Sequence, residues 1–487
     1  MRVKPVLLRQ LNIDPAVHKT ISIVGAGGKT SLMKRLCDEL ISLGLRVILT
    51  TSTHILYEEP ETFVRIFDTG LDTVSADAGR VKELTERYGY AVIGCIGDDA
   101  CPGQSKISSP GEAVLKQLSG LCDVVLIEAD GARGKSIKIP AAWEPARCPR
   151  TDLGIAVAGA GAIGQRIMDA AYRPEEFARF VCKDAADRIS CDDVAEIASS
   201  AHALRKNAGE KEYRFYLNAV DNIYDTGCYQ NTVIDAANVD MAELAHPADP
   251  YESICGSAHA ADIMEMMSRL GRGHNIEASC GSVRNADSMG AVILAAGLGT
   301  RFGGGKLKSL ICGKPMFMHV LDELARIFGY EQITFVTGGS DIADAAAKTG
   351  AHVVINPRPE NGISTSMKLG LSENLHRGSC LFAVADQPFI SSGSIRRLVH
   401  RFTQSDRGMA AMTDSRGEFS NPCIFSSRYY VDLYEISGDR GGKGIIRRHP
   451  DDVYTCKAVS EKELQDIDTI DDLEQIVGRI GSEDLYE

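Results

Sequence analysis

One stretch constrains the fold of this chain more than any other: AVILAAGLGTRFGGGKLKSLICGKP, from Ala291 to Pro315. Its apolar run, Ala291 to Ala296, reads as a strand. The run empties into a loop holding Gly297, Gly299, Gly303, Gly304 and Gly305, with Arg301 and Lys306 as cations. Pro315 then opens a segment of helical periodicity. Glycines let backbone N–H groups turn inward towards a ligand, and fixed cations balance its charge. A strand, a glycine loop and a helix in that order make a phosphate cradle on the carboxyl edge of an α/β sheet. The spacing GLGTRFGGGK is neither a Walker A loop nor a dinucleotide fingerprint.

A second cradle lies near the start, in TISIVGAGGKTSLMKRL (residues 20–36). A short β run meets Gly25, Gly27, Gly28, Lys29 and Thr30, and an amphipathic helix follows. This resembles a P-loop, but Ile23 stands where the first glycine of G-x-x-x-x-G-K-[ST] belongs. Nucleotide binding is expected, through a shortened loop; a plain α/β turn is the alternative. Downstream, CDVVLIEADGARGK (122–135) is a buried strand ending in Glu128 and Asp130. Asp130 and Thr30 are the candidate Mg²⁺ ligands there. LNAVD (217–221) echoes a base-reading motif but has Ala219 in place of its lysine, so a strand-end turn is expected.

The 487 residues exceed one comfortable core, and two or three domains are expected. Residues 271–288 are polar, glycine-rich and aperiodic. They read as a linker between an N-terminal domain, 1–270, and a C-terminal domain, 289–487. A net charge of −13 argues against bulk binding to nucleic acid or anionic lipid. No apolar run reaches membrane-span length, and MRVKPVLLRQL lacks a signal-peptide core, so a cytoplasmic protein is expected. The fourteen cysteines contain no C-x-x-C pair and read as free thiols in a reducing compartment.

In the C-terminal half, LFAVADQP (381–388) is a strand ending in Asp386, a position suited to Mg²⁺. GISTSMKLGL (362–371) sets Ser364, Thr365 and Ser366 near a helix start, as caps or phosphate ligands. SNPCIFS (420–426), SGDRGGKGI (437–445) and DIDTIDDL (466–473) place further polar residues at loop ends.

Residues 290–480 resemble the MobA-like nucleotidyltransferases, most closely the molybdenum cofactor cytidylyltransferase branch. The resemblance rests on LAAGLGTRFGGGK, NPRPENGISTSMKLGL, VADQPFI, SNPCIFS, SGDRGGKGI and DIDTIDDL, in that order. Residues 18–240 resemble the YqeC-type family, associated with selenium-dependent molybdenum hydroxylases, through GAGGKTS, TTSTH and IEADGARGKSIK. The implied fold is α/β in two domains: a P-loop-like three-layer domain, then a Rossmann-like nucleotidyltransferase domain.

The implied activity is transfer of CMP from CTP to Mo-molybdopterin with release of pyrophosphate. The resemblance implies that Ala295, Ala296, Gly297, Gly299 and Ser364 hold the nucleotide. Arg301 and Lys306 serve as the catalytic cations, and Asp386 and Asp468 as ligands of Mg²⁺. Asn421 and Gly441 are weaker substrate contacts. A second nucleotide, ATP or GTP, is expected in the N-terminal domain, and the target molybdenum hydroxylase is an expected partner. Alternatives are a guanylyltransferase or another small-molecule nucleotidyltransferase of this fold, or a non-catalytic carrier of the cofactor.

Overall fold

The structure is a computed structural model that describes residues 5–57, 63–65, 71–96, 105–208, 212–220, 256–274, 276–283, 285–297, 302 and 304–474. Two compact units emerge: Met1–Ile223 with Asp262–Asp287, and Ser288–Glu487 with Tyr224–Ala261. Each is α/β. Among the described residues no helix is long and apolar enough to cross a membrane.

Unit 1 is built on a sheet whose core strands are parallel. Thr20–Gly25 lies between Val124–Glu128 and Leu153–Gly159, and these three strands are buried along their whole length. Beyond Val124–Glu128 come Val47–Thr51 and Tyr90–Ile96; beyond Leu153–Gly159 come Glu212–Asn218 and Glu277–Cys280. Burial on both faces explains the near-continuous apolar runs in the sequence, which replace strand alternation when helices cover a parallel sheet. The helix Lys29–Ser42 packs Leu32, Met33, Leu36 and Leu40 against one face.

The stretch expected as a linker is instead part of this unit. Residues 271–274 end the helix Gly256–His274, and Glu277–Cys280 pairs in parallel with Glu212–Asn218, from Arg214↔Glu277 to Leu217↔Cys280. Its polarity belongs to an edge strand. Glu277 is ion-paired with Arg214 at 2.7 Å, while Cys280 is buried. The units meet in sequence between Asp287 and Ser288.

In unit 2 the strand order is His352–Ile355, Ile333–Thr337, Met289–Ala295, Ser379–Val384, Phe419–Ser426, Met409–Thr413, Val453–Lys457. The first four are mutually parallel, and Phe419–Ser426 runs antiparallel to both its neighbours. From Met289–Ala295 the chain builds outward on one side, then returns to lay Ser379–Val384 on the other. That reversal opens a crevice at the carboxyl ends of two adjacent strands, where ligands of open α/β sheets bind. The helix Met316–Phe328 closes one face with Met316, Phe317, Val320, Leu321 and Leu324, and Phe317 meets Phe335 at 5.5 Å between ring centres.

Candidate active site

In unit 2 the crevice gathers residues distant in sequence. Lys306 follows the glycine loop at the start of a short 3₁₀ turn, Lys306–Lys308. Asp386 comes two residues after the strand Ser379–Val384. Asp468 arrives from the C-terminal segment, which docks where the Ile467 N–H donates to the Asp386 carbonyl at 3.1 Å. The Lys306 ammonium donates to Asp386 Oδ2 at 2.8 Å and to Asp468 Oδ1 at 2.9 Å. Burial depresses the Lys306 pKa, but the two carboxylates outweigh it and hold it above the ordinary lysine value.

The lysine side chain is 11% exposed, those of Asp386 and Asp468 29% and 49%. A cation with little exposed surface thus faces two carboxylates that solvent reaches more freely. Asp468 is further held by its own turn, with Asp472 Oδ2 accepting from the N–H groups of Asp468 and Thr469. A third acid, Asp466, was not singled out in the sequence. Desolvation and the like charges of Asp386 and Asp468 raise its pKa. Its only signal was the D-x-D spacing, which in a loop specifies no common target.

These residues fit a divalent cation. Two carboxylates converge on one ammonium, which occupies a cation's place, and hard oxygen donors suit Mg²⁺ or Mn²⁺. Ala295 ends the strand, Ala296 follows it, both are buried, and Gly297 is exposed. Gly299 and Arg301 lie outside the described residues.

Ser364 is buried, and its N–H donates to the Gly438 carbonyl at 3.1 Å. The 362–364 turn therefore gathers with the 438–441 loop, which carries Gly441. The Ile363–Ser372 helix is capped by Gly362 with no side-chain cap, and Ser366 accepts from Asn356. The expected hydroxyl capping is absent because these serines sit inside the first turn. Asn421 lies on Phe419–Ser426, next to Ser420, whose hydroxyl accepts from Gln387 at 3.4 Å.

Unit 1 treats its glycine loop differently. The N–H groups of Gly25, Ala26 and Gly27 are already engaged, by Asp130, Val157 and Lys135. A Cβ on Gly25 would lie 2.2 Å from the Val157 carbonyl oxygen, and one on Gly27 would lie 2.2 Å from the Gly159 nitrogen. Lys29 is folded back, donating to the Gly25 carbonyl at 2.7 Å and pairing with Asp130 at 3.2 Å and Glu128 at 3.7 Å.

Asp130 is fully buried, with both carboxylate oxygens on the Gly25 N–H, so it shapes the loop rather than awaiting a metal. The carboxylate beside Thr30 is Glu128, which accepts from its hydroxyl at 2.8 Å; burial raises the Glu128 pKa despite Lys29 and Thr30. Asn218 braces the loop, donating to the Gly27 carbonyl at 2.8 Å, which accounts for LNAVD without a base; Asp221 lies outside the described residues. The sequence reading also missed Lys138 and Glu144. Lys138 is fully buried and ion-paired with Asp130 at 3.4 Å and Glu144 at 2.8 Å.

A doubly wound α/β unit with a cation and convergent acids at its switch point is built to hold an anionic ligand. Residues 291–453 match the model of the MobA-like NTP transferase domain, and residues 21–175 that of the YqeC protein. The chain joins these two domains, and the fold and family of unit 2 are those of a nucleotidyltransferase.

An uncharacterized protein YqeC of Escherichia coli is 32% identical over 165 residues, which cover 32% of this chain and 59% of that protein. 3-Deoxy-manno-octulosonate cytidylyltransferase 2 of Hydrogenovibrio crunogenus is 30% identical over 104 residues, 21% of this chain and 42% of its own. A probable molybdenum cofactor guanylyltransferase of Thermococcus sibiricus is 28% identical over 118 residues, 24% and 56%. In each case the match spans less than two thirds of the relative.

Proposed function

We propose that unit 2 transfers a nucleoside monophosphate from a triphosphate to a terminal phosphate, with CTP and Mo-molybdopterin as its substrates. The observation that carries this reading is the Lys306 ammonium held between Asp386 and Asp468 at the sheet's switch point. An acceptor phosphate oxygen bonds to the α-phosphorus, the bond from that phosphorus to the bridging oxygen breaks, and pyrophosphate leaves. Lys306 is the cation for charge developing on the α-phosphate, and Arg301 serves the β and γ phosphates from the same loop.

A phosphate nucleophile is already ionised at neutral pH, so no general base is required. Lys306 holds Asp386 and Asp468 facing one point. Mg²⁺ held by those two carboxylates would neutralise the triphosphate and brace the leaving pyrophosphate. Ser364, Asn421 and Gly441 are assigned to the nucleotide or pterin side.

The relative named as a cytidylyltransferase supports CTP, and the one named as a molybdenum cofactor guanylyltransferase supports the acceptor while favouring GTP as the second reading. For unit 1 the reading is a nucleotide, ATP or GTP, seated on Gly28, Lys29 and Thr30. Joining it to unit 2 supports a role in maturing a selenium-dependent molybdenum hydroxylase. A panel of ATP, CTP, GTP and UTP with Mo-molybdopterin, followed by pyrophosphate release, tests the assignment. Release with CTP alone is expected. Release with GTP moves the assignment to guanylyl transfer, and cofactor binding without release leaves a carrier.

A further inference from the structure

Around the unit 1 loop, buried acids are matched by cations, of which Arg173 is partly exposed. Lys29, Lys138 and Arg173 face Glu128, Asp130 and Glu144, three cations to three anions. Two more cations stand on the same segment without such partners. Arg133 and Lys135 have no carboxylate within ion-pair distance among the described residues. Lys135 donates to the Asp169 carbonyl, while the Asp169 carboxylate is taken by Arg166. This segment follows the strand Val124–Glu128 and is tied to the glycine loop through the Gly27 N–H to Lys135 carbonyl bond. The excess positive charge therefore lies at the carboxyl edge, in a chain of net charge −13.

The guanidinium groups are held by aromatic rings. Arg173 stacks over Tyr172 at 4.8 Å and Trp143 at 5.3 Å while donating to Glu144 at 3.2 Å. Arg133 reaches the same Tyr172 ring at 5.9 Å. Both arginines have left-handed backbones, φ 47° for Arg133 and 61° for Arg173. Non-glycine residues rarely adopt that conformation, and it is retained where surrounding structure imposes it. Trp143, the only tryptophan of the chain, is 75% exposed.

We propose that Arg133 and Arg173, fixed around Tyr172, clamp the phosphates of a phosphorylated planar heterocycle whose ring stacks on Trp143. Guanidinium forks suit phosphate oxygens, and an exposed indole face suits a flat ring. Gly28–Thr30 supply the rest of the phosphate seat, so the proposal extends the unit 1 nucleotide reading and rests on it. It is independent of the chemistry in unit 2.

Trp143 is its own reporter. In the full chain carrying Lys306→Ala, to stop turnover in unit 2, saturable change of tryptophan emission is expected with ATP, GTP or CTP, and none with inorganic pyrophosphate. Arg133→Gly keeps the left-handed backbone at an exposed site and is expected to weaken binding about tenfold by calorimetry, the loss of one charge-assisted contact. Trp143→Phe should weaken nucleotide but leave pyrophosphate binding unchanged. Nucleotide bound with unaltered emission and full affinity in Arg133→Gly overturns the clamp while leaving the loop as the nucleotide seat. An equal emission response to pyrophosphate overturns ring stacking. Absence of any nucleotide heat in the Lys306→Ala chain overturns both the clamp and the unit 1 reading.

Discussion

The two glycine loops of this chain begin alike, each leaving a buried parallel strand and ending in a lysine, and they are used in opposite ways. In unit 1 the loop is packed into the protein. Its lysine is 5% exposed against buried acids, and the end of Leu153–Gly159 presses on its glycines. In unit 2 a Cβ on Gly297, Gly304 or Gly305 would meet nothing among the described residues within 4 Å, and Lys306 faces acids that solvent reaches. A loop whose donors are engaged internally is held in one shape. Gly297, Gly304 and Gly305 are not packed in this way, and they flank a cation opposed by two carboxylates. Similar local sequences thus separate into a loop fixed by its packing and a loop beside solvent-reached acids, and the neighbours make the difference.

Four measurements break or sharpen that contrast. The largest effect is expected from Lys138→Met in unit 1, which leaves Asp130 and Glu144 buried with less compensation. Unfolding in urea should show a loss of about 3–5 kcal/mol; a loss below about 1 kcal/mol would mean the network is not structural. Next, Lys306→Ala should remove at least about 2–4 kcal/mol of transition-state stabilisation. Turnover near wild type, read as pyrophosphate release, would sink the role given to Lys306.

Third, Gly25→Ala combines φ 98° with a carbonyl oxygen 2.2 Å from the new methyl and should cost about 1–3 kcal/mol. Gly297→Ala, in open space, should stay within about 0.5 kcal/mol. Equal costs in the two variants would erase the distinction between packed and open loops.

The smallest effect concerns pH. Burial raises the Glu144 pKa, but the Lys138 hydrogen bond, the Ala141 N–H and the charge of Arg173 outweigh it, leaving the carboxyl below its ordinary range. A depressed carboxyl contributes stability above its unfolded value, about 4.3, and loses it as pH falls through the folded value. Lys306, raised, runs the other way: its contribution is complete below the unfolded lysine value, about 10.4, and is lost as pH rises through the folded one. Thermal melts should therefore show unit 1 weakening in acid and the unit 2 cluster in alkali. An acid limb unchanged by Glu144→Gln would contradict the first half.

Much of the unit 2 cluster was legible in the sequence because its members are motif residues at strand ends: Lys306 closes a glycine loop, and Asp386 and Asp468 sit in short acidic turns. Lys138 and Glu144 were not legible, because KIPAAWEP reads as an ordinary loop and nothing in it marks a lysine with no exposed surface. The edge strand Glu277–Cys280 was mistaken for linker since an edge strand needs only part of its residues buried. Asp130 looked like a metal ligand by position, and only its contact with the Gly25 N–H revealed a structural role.

By itself the sequence determined the α/β class, the two glycine loops, the strands feeding them and the residue types available for phosphate and metal chemistry. Those features are local: periodicity, glycine placement and charge at strand ends depend on neighbours within a few residues. Only the tertiary structure decided that Asp386 and Asp468, 80 and 162 residues from Lys306, share its ammonium. It likewise decided that Lys29 is buried among acids while Lys306 opposes open ones. Burial and ion pairing depend on what the rest of the chain packs against a residue, and no window of sequence contains that.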